Sequence, residues 1–151
     1  MPACDTSMFR FGVKTHGVLR RKKKQKTDAK AWRQTKKTVD QRDTVDGDPC
    51  CFITGKRLQN INPLDEWTFR DRAHLEARSQ SKKRRYLPAN VISCSRAVHG
   101  LIDAGALLLF NKRGLPARSV RTIDHVAWNR RWVAKGDEPC RIRRGLAVRK
   151  D

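Results

Sequence analysis

Acidic residues are scarce in this chain. Its 151 residues include 15 Asp and Glu against 35 Lys and Arg, which gives a formal net charge of +20 at pH 7. So large a positive excess is evidence about binding partners rather than about fold, and it favours a polyanion. We therefore expect a nucleic acid as the leading candidate partner, with an anionic membrane surface as the rival.

Long apolar runs are also missing. The longest, at residues 104–110, is far shorter than the ~20 residues that a membrane-spanning helix needs. The amino terminus lacks the apolar core of a secretory signal, so we expect a cytoplasmic protein. A clean basic amphipathic helix is absent as well, so we expect no membrane partner.

Paired cysteine motifs are absent too. The five cysteines include no C-x-x-C pair, and an odd number without a secretory signal predicts reduced thiols. A structural zinc site usually takes four Cys or His ligands in paired knuckles. Cys51 and Cys94 each stand where a knuckle begins, but the second ligand of each pair is missing. We therefore interpret the cysteines as small buried apolar side chains.

Positive charge is concentrated in three segments, at residues 10–37, 82–85 and 141–150. Basic blocks of this kind are typical of disordered arms that bind nucleic acid, and a solvated tail without function is the alternative. The overall charge favours binding. The residues that we expect to contact nucleic acid are Arg21, Lys22, Lys23, Lys24, Arg78, Lys82, Lys83, Arg84 and Arg85.

The order of patterns along the chain predicts an α+β protein in three parts. Residues 1–29 form a basic arm, helical or disordered, and residues 30–121 form the core with a preceding helix capped by Asp28. Residues 122–151 form a last helix and a basic tail. That helix is expected over 122–133, where Trp128 and Trp132 are four residues apart.

The centre of the core predicts strand, loop, strand and helix. Trp67 and Phe69 alternate with polar residues in a strand that ends near residue 75, which sends both rings to the core and leaves His74 facing a cleft. A loop and a second strand follow. Ser93 or Ser95 can then cap a helix at 96–104, and Gly105 can end it before a strand at 106–110.

Four side chains in this region suit hydrolysis of a phosphodiester. His99 and Asp103 are four residues apart on the expected helix, so both can reach one divalent ion. His74 has an imidazole that can take a proton from water near neutral pH. Asn90 lies between them at the start of the second strand. Together these groups fit metal-assisted hydrolysis.

Residues 30–114 resemble the HNH endonuclease family of phage and bacterial type, whose fold is a ββα-metal unit. Each predicted element carries part of the resemblance. The matching motifs are Arg42-Asp43, Cys51-x-x-Thr54-Gly55, Ala73-His74-Leu75, Arg78-Ser79, Asn90-Val91-Ile92-Ser93-Cys94 and residues 99–105. Agreement of strand, loop, strand and helix with the motif spacing is more specific than the spacing alone.

The resemblance implies double-stranded DNA as the substrate, a bacterial or phage-infected cell as the setting, and a role for each matching residue. His74 is the expected general base, Asn90 is expected to hold the loop and orient His74, and His99 with Asp103 is expected to bind the ion. Mg²⁺ or Mn²⁺ is the expected cofactor, with Zn²⁺ or Ni²⁺ able to occupy the same site.

One position departs from the family pattern. Many members carry Asp or His immediately before the catalytic histidine as a further ligand, and this chain has Ala73 there. Asp71 lies on the same face of the expected strand and is a candidate replacement. The sequence therefore leaves two hypotheses: an active endonuclease, and a basic nucleic-acid-binding module that keeps the fold without the chemistry.

Overall fold

The computed structural model describes residues 15–133 and 138–149, with side chains from residue 20 onward. The order of elements is α1 (Thr15–Arg42), β1 (Thr44–Val45), β2 (Asp48–Pro49), β3 (Arg70–His74), β4 (Val91–Ser95), α2 (Arg96–Asp103), β5 (Leu107–Phe110), β6 (His125–Trp128) and β7 (Ala147–Arg149). Single turns of 3-10 helix lie at Pro88–Asn90 and Val120–Thr122. The protein is therefore α+β, as predicted. No helix in the described ranges is long and apolar enough to cross a membrane.

The centre of the fold is an antiparallel pair of strands followed directly by a helix. β3 pairs with β4 so that Arg70 lies opposite Ser95 and His74 lies opposite Val91. Every residue of β4 is buried, which is consistent with its apolar and small side chains. α2 begins where β4 ends and packs against both strands.

Both ends of α2 are fixed by the residues that the sequence indicated. The hydroxyl of Ser95 accepts a hydrogen bond from the Val98 amide at 3.3 Å, which caps the first turn. At the other end Gly105 has a φ of +69°. The amide of Ala106 reaches back to the Leu101 carbonyl at 2.9 Å, closing a Schellman motif that turns the chain into β5.

Helix α1 is longer than predicted. The expected cap, Asp28, lies inside the helix and forms an ion pair with Arg85 at 3.6 Å. The basic block at 20–26 is helical and exposed, which is the first of the two alternatives that the sequence left open for the arm. Uninterrupted helix formers explain this, because residues 15–42 contain no proline and only Gly17 near the start. Residues 1–14 of the expected arm lie outside the described residues.

The carboxyl-terminal half of α1 docks on the central unit. Val39 is fully buried, and the Asp43 carboxylate that follows the helix accepts a 2.8 Å hydrogen bond from the Ser93 amide in β4. Asp40 binds the guanidinium groups of Arg70 and Arg72 from β3. These contacts fix how the helix is rotated about its axis.

The predicted last helix is wrong. Residues 125–128 form β6, which pairs with β5 on one side and with β7 on the other. Val126 and Ala127 are buried in this central strand. The spacing of Trp128 and Trp132 indicated a helix, but pairing with both neighbouring strands outweighs that local pattern.

Two other predictions concern core side chains. Cys51, Cys94 and Cys140 are free thiols buried in the main apolar cluster, as predicted. Trp67 does not enter that cluster. It precedes β3, is 37% exposed and lies under the Lys56 ammonium group at 5.9 Å, because the strand begins only at Arg70.

Candidate active site

A cleft of about 570 Å³ opens where β3, α1, α2 and the loop after β3 meet. Residues from all four segments line it: Trp32, Lys36, Asp71, Arg72, His74, Ala77, Arg78, His99 and Asp103. His74, His99 and Asp103 were expected from the sequence to share a site, and they lie around this one cavity. Asn90, the fourth expected residue, does not line the cleft. It is hydrogen-bonded instead to the loop that follows β3.

His74 is the last residue of β3, and its ring is held by contacts at Nε2. Nε2 lies 2.9 Å from the Arg85 carbonyl and 3.4 Å from Nε of Arg78. A carbonyl can only accept, and its contact is the shorter, so Nε2 carries the proton and donates it to Arg85. The lone pair of the neutral ring is therefore on Nδ1, which makes no hydrogen bond with any described residue.

The surroundings of His74 favour its neutral form. Burial lowers the pKa of His74 below 6.5, and the nearby Arg78 guanidinium lowers it further, against a raising effect of the hydrogen bond to Arg85. The ring of Trp32 stacks on the imidazole with centroids 5.4 Å apart. A neutral imidazole with an unused lone pair is the form that a general base requires.

Asn90 joins the two ends of the loop at 75–89. It is fully buried, and its Oδ1 accepts a 2.8 Å hydrogen bond from the Glu76 amide. Its Nδ2 donates to the Glu76 carbonyl at 3.0 Å and to the Arg84 carbonyl at 3.3 Å. The next carbonyl in the chain is that of Arg85, which holds His74. Asn90 thus fixes the loop that fixes the histidine.

His99 has a carboxylate at each ring nitrogen. Nδ1 lies 2.9 Å from Oδ2 of Asp71, and Nε2 lies 3.3 Å from Oδ2 of Asp103. The hydrogen bond with Asp71 raises the pKa of His99 and lowers that of Asp71, partly offset by burial in each case. Without a metal ion, the arrangement therefore favours a positively charged His99.

The donor atoms on one edge of His99 fit a divalent ion. An imidazole nitrogen and a carboxylate oxygen only 3.3 Å apart can both be ligands of one ion. Asp71 is on the opposite edge of the ring. In metal sites a ligating histidine commonly donates its other N–H to a carboxylate, which orients the ring and raises its basicity. In this structure Asp71 is a hydrogen-bond partner of His99, and its role as a replacement ligand stays a prediction.

Ala73, which replaces the Asp or His of the family pattern, lies in the protein core. Ala73 is fully buried and belongs to the main apolar cluster. Within the described residues, no group of three or more Cys, His, Asp or Glu side chains is arranged to hold a metal ion. His99 and Asp103 stay the predicted ligand pair of this cleft.

Three cationic side chains surround these groups. Lys36 reaches the cleft from α1, Arg72 from β3 and Arg78 from the loop. Arg72 is held by Asp40 at 2.8 Å, and the Arg78 guanidinium lies 4.6 Å from the centre of the Trp32 ring. Held cations beside a histidine suit an anionic substrate such as a phosphodiester.

The other expected nucleic-acid contacts fall into two groups. Lys82 and Lys83 are exposed at the tip of the loop. Arg84 and Arg85 are half-buried and are used within the protein, because Arg84 pairs with Glu76 and Arg85 pairs with Asp28. The structure thus separates two solvent-facing charges from two that hold the loop.

Sequence reasoning did not assign Trp32 or Lys36 to the site. Both lie on α1, outside the strand, loop and helix that carry the motif. The signal was the spacing of Trp32 and Val39, seven residues apart and therefore on one helix face. That face packs against the loop and β4, and it brings Lys36 to the cleft.

Comparison of the chain with known protein families, with curated proteins and with solved structures found no match. Function must therefore be inferred from the sequence motifs and from the chemistry of the cleft.

Proposed function

We propose that this protein is a metal-dependent DNA endonuclease of the HNH type, with β3, β4 and α2 as its ββα-metal unit. The observation that carries the proposal is that His74 lines the same cavity as His99 and Asp103. One side supplies a neutral imidazole, and the other supplies a nitrogen and an oxygen suited to a cation. A general base and a metal site facing one cleft are what phosphodiester hydrolysis needs.

The proposed reaction uses His74 as the base. Its Nδ1 takes a proton from water, the resulting hydroxide attacks phosphorus, and the bond from phosphorus to the leaving oxygen breaks. The leaving oxygen keeps the electron pair of that bond and takes a proton from solvent water. Nε2 stays bonded to the Arg85 carbonyl and keeps the ring in place. Lys36 and Arg78 attract the phosphate. A divalent ion bound by His99 and Asp103 supplies stabilisation of the negative charge that develops on the phosphate and on the leaving oxygen.

A specific observation supports an alternative, a nucleic-acid-binding module without catalysis. Both nitrogens of His99 already have carboxylate partners, and Ala73 removes the usual third ligand. A protonated His99 then has a carboxylate acceptor for each of its two N–H groups, so the three side chains satisfy one another without a metal ion. In that case the cationic cleft would bind phosphates and leave them intact.

A plasmid assay separates the two functions. Supercoiled DNA is incubated with the full chain in Mg²⁺ or Mn²⁺, and in parallel with a chelator. The proposed nuclease converts it to nicked or linear DNA only with metal. Binding without conversion in either metal would establish the alternative.

Histidine variants exclude a contaminating nuclease. His74→Ala should lose cleavage by about 10²–10⁴-fold, the usual contribution of a general base, while its DNA affinity stays near that of the parent. His125→Gln is the matched control, since His125 stacks on Phe110 away from the cleft lining. Cleavage at the parent rate by His74→Ala would remove His74 from the mechanism.

A further inference from the structure

The contacts of α1 determine which of its faces continues the cleft. Asp28, Trp32, Thr35 and Val39 face the protein: Asp28 pairs with Arg85, Trp32 stacks on His74, and the Thr35 hydroxyl donates to the Tyr86 carbonyl at 2.5 Å. Lys36 lies beside this face and lines the cleft. The rotation of the helix is therefore fixed over several turns.

The same geometry selects further cations on the side of Lys36. An α-helix turns by about 100° per residue, so Lys22, Lys26 and Arg33 lie about 40° to 80° from Lys36 around the axis, all on the side away from Trp32. Lys23, Lys24 and Lys30 lie about 120° or more away from it. We call the set Lys22, Lys26, Arg33 and Lys36 the guide face.

The charge of the guide face is available to a ligand. Lys22, Lys26 and Arg33 are exposed and form no ion pair with any described residue. The acids of α1 are Asp28 and Asp40, and both are already bound by arginines from the loop and from β3. The face therefore presents uncompensated positive charge from the solvent to the edge of the cleft.

We propose that the guide face is a track for the sugar-phosphate backbone of duplex DNA, which it leads into the cleft. Fourteen residues separate Lys22 from Lys36, a distance of about 21 Å along the helix at 1.5 Å per residue. A DNA duplex rises 3.4 Å per base pair along its axis, so the length of the face matches about six base pairs of duplex. Lysine and arginine contacts to phosphate position the duplex without reading its sequence. That the track leads to a site of cleavage rests on the proposed function, whereas the binding of DNA by the guide face does not.

Two triple variants test the track. Lys22→Gln/Lys26→Gln/Arg33→Gln removes three charges from the guide face, and Lys23→Gln/Lys24→Gln/Lys30→Gln removes three from the other sides of the same helix. All six positions are exposed, and glutamine is a good helix former. Circular dichroism checks that both proteins keep the parent helix content.

The measurement is affinity for a fluorescent 30-base-pair duplex in chelator, at salt concentrations from about 50 to 200 mM. Each lost phosphate contact should reduce the slope of log K against log salt by about 0.9, so the guide-face variant should lose about 2.7. Over that range the parent should therefore weaken about 40-fold more than the guide-face variant. Lys23 and Lys24 were expected contacts on the basis of charge alone, but they lie off the guide face, so the control variant should keep a slope close to that of the parent.

Equal slopes for the two variants would overturn the track, because charge alone and not its position would then matter. An unchanged slope for the guide-face variant would overturn it as well. Failure of the proposed function has a different outcome: binding that depends on the guide face, with no cleavage of plasmid in Mg²⁺ or Mn²⁺. Cleavage by a protein whose guide-face variant binds like the parent would reject the track alone.

Discussion

The indole ring of Trp32 stacks on the imidazole ring of His74, with centroids 5.4 Å apart and planes inclined by 23°. Trp32 belongs to α1, whereas His74 ends β3. The helix that carries most of the basic block thus forms part of the surroundings of the proposed base. Arg78 adds a guanidinium group 4.6 Å from the same indole ring.

We expect Trp32→Ala to lower the cleavage rate about 10- to 100-fold, since a small misplacement of a reacting group has effects of that size. Its affinity for DNA should change little, because Trp32 carries no charge. Trp32→Phe keeps an aromatic ring and should retain most of the rate. Single-turnover cleavage of a labelled duplex, with DNA affinity measured in chelator, gives both quantities.

Trp132→Ala is the control for that experiment. Trp132 is 61% exposed and is not part of the cleft lining, so its loss should leave cleavage unchanged. If Trp32→Ala cut at the parent rate, the stacking on His74 would be only a packing contact.

Asn90→Ala should reduce the free energy of unfolding by about 3 kcal/mol. The substitution leaves buried amide and carbonyl groups of the loop without partners, and such groups cost roughly 1–3 kcal/mol each. Urea denaturation followed by circular dichroism measures the change. Asn60→Ala, at an exposed position, is the control. A loss below about 1 kcal/mol for Asn90→Ala would show that water replaces the amide.

The sequence predicted best where local chemistry decides the structure. Ser95 and Gly105 were candidate ends of one helix because a hydroxyl can cap the first turn and glycine accepts a positive φ. Both residues end α2 as expected, and β4 directly precedes the helix as predicted. The burial of Cys51 and Cys94 was also predictable, because neither had a second ligand nearby in sequence.

Long-range pairing accounts for the errors. Residues 125–128 became a strand because β5 and β7 lie on both sides of them, and no local spacing reveals those partners. The role of Asp71 depends on a contact with His99, 28 residues away. The edge of the imidazole that Asp71 meets depends on how α2 packs against β3, which the sequence does not reveal.

Thiol labelling tests the fold independently of function. Burial raises the pKa of Cys94 well above 9.0 and that of Cys140 to about 11. Thiolate is the reactive form, so both should resist iodoacetamide at pH 7.5, whereas half-buried Cys50 should react first among the four cysteines that the structure describes. Peptide mass spectrometry gives the rate at each position, and labelling in urea is the control. Rapid native labelling of Cys94 would contradict the burial of β4.

The His99–Asp71 pair predicts a dependence of stability on pH in the metal-free protein. The raised pKa of His99 stabilises the fold fully below pH 6.5, and this is lost as the pH rises through the folded value. The lowered pKa of Asp71 stabilises it above pH 3.8, and this is lost as the pH falls through the folded value. The contribution of the pair should therefore be largest between these limits.

Asp71→Asn measures that contribution. The difference from the parent in free energy of unfolding should be greatest near pH 5 and smaller at pH 9, in the presence of chelator. Both side chains are partly exposed, so the difference should not exceed about 1 kcal/mol. Asp103→Asn, at a more exposed carboxylate, should show less. A difference that grew toward pH 9 would contradict the pairing.

The metal ligands can be assigned by comparing Asp103 with Asp71. The proposed site has one imidazole and one carboxylate, so water must complete the coordination of any ion. Binding should then be weak and reversible, and Mn²⁺, Ni²⁺ or Zn²⁺ should bind at least as tightly as Mg²⁺. Cleavage should occur with Mg²⁺ or Mn²⁺ and stop in chelator.

Asp103→Ala should weaken Mn²⁺ affinity and cleavage together, because it removes one of two ligands. Asp103→His returns a ligand to the same helical position and should retain measurable cleavage. Asp71→Asn leaves the ligands in place but removes the charge at Nδ1 of His99, so its loss of affinity should be the smaller, about 10-fold as for other outer carboxylates. Titration with Mn²⁺ by electron paramagnetic resonance gives the affinities without DNA. If Asp103→Ala bound Mn²⁺ like the parent while Asp71→Asn did not, Asp103 would be a helix-surface acid, and the ion would lie on the Nδ1 edge of His99 instead.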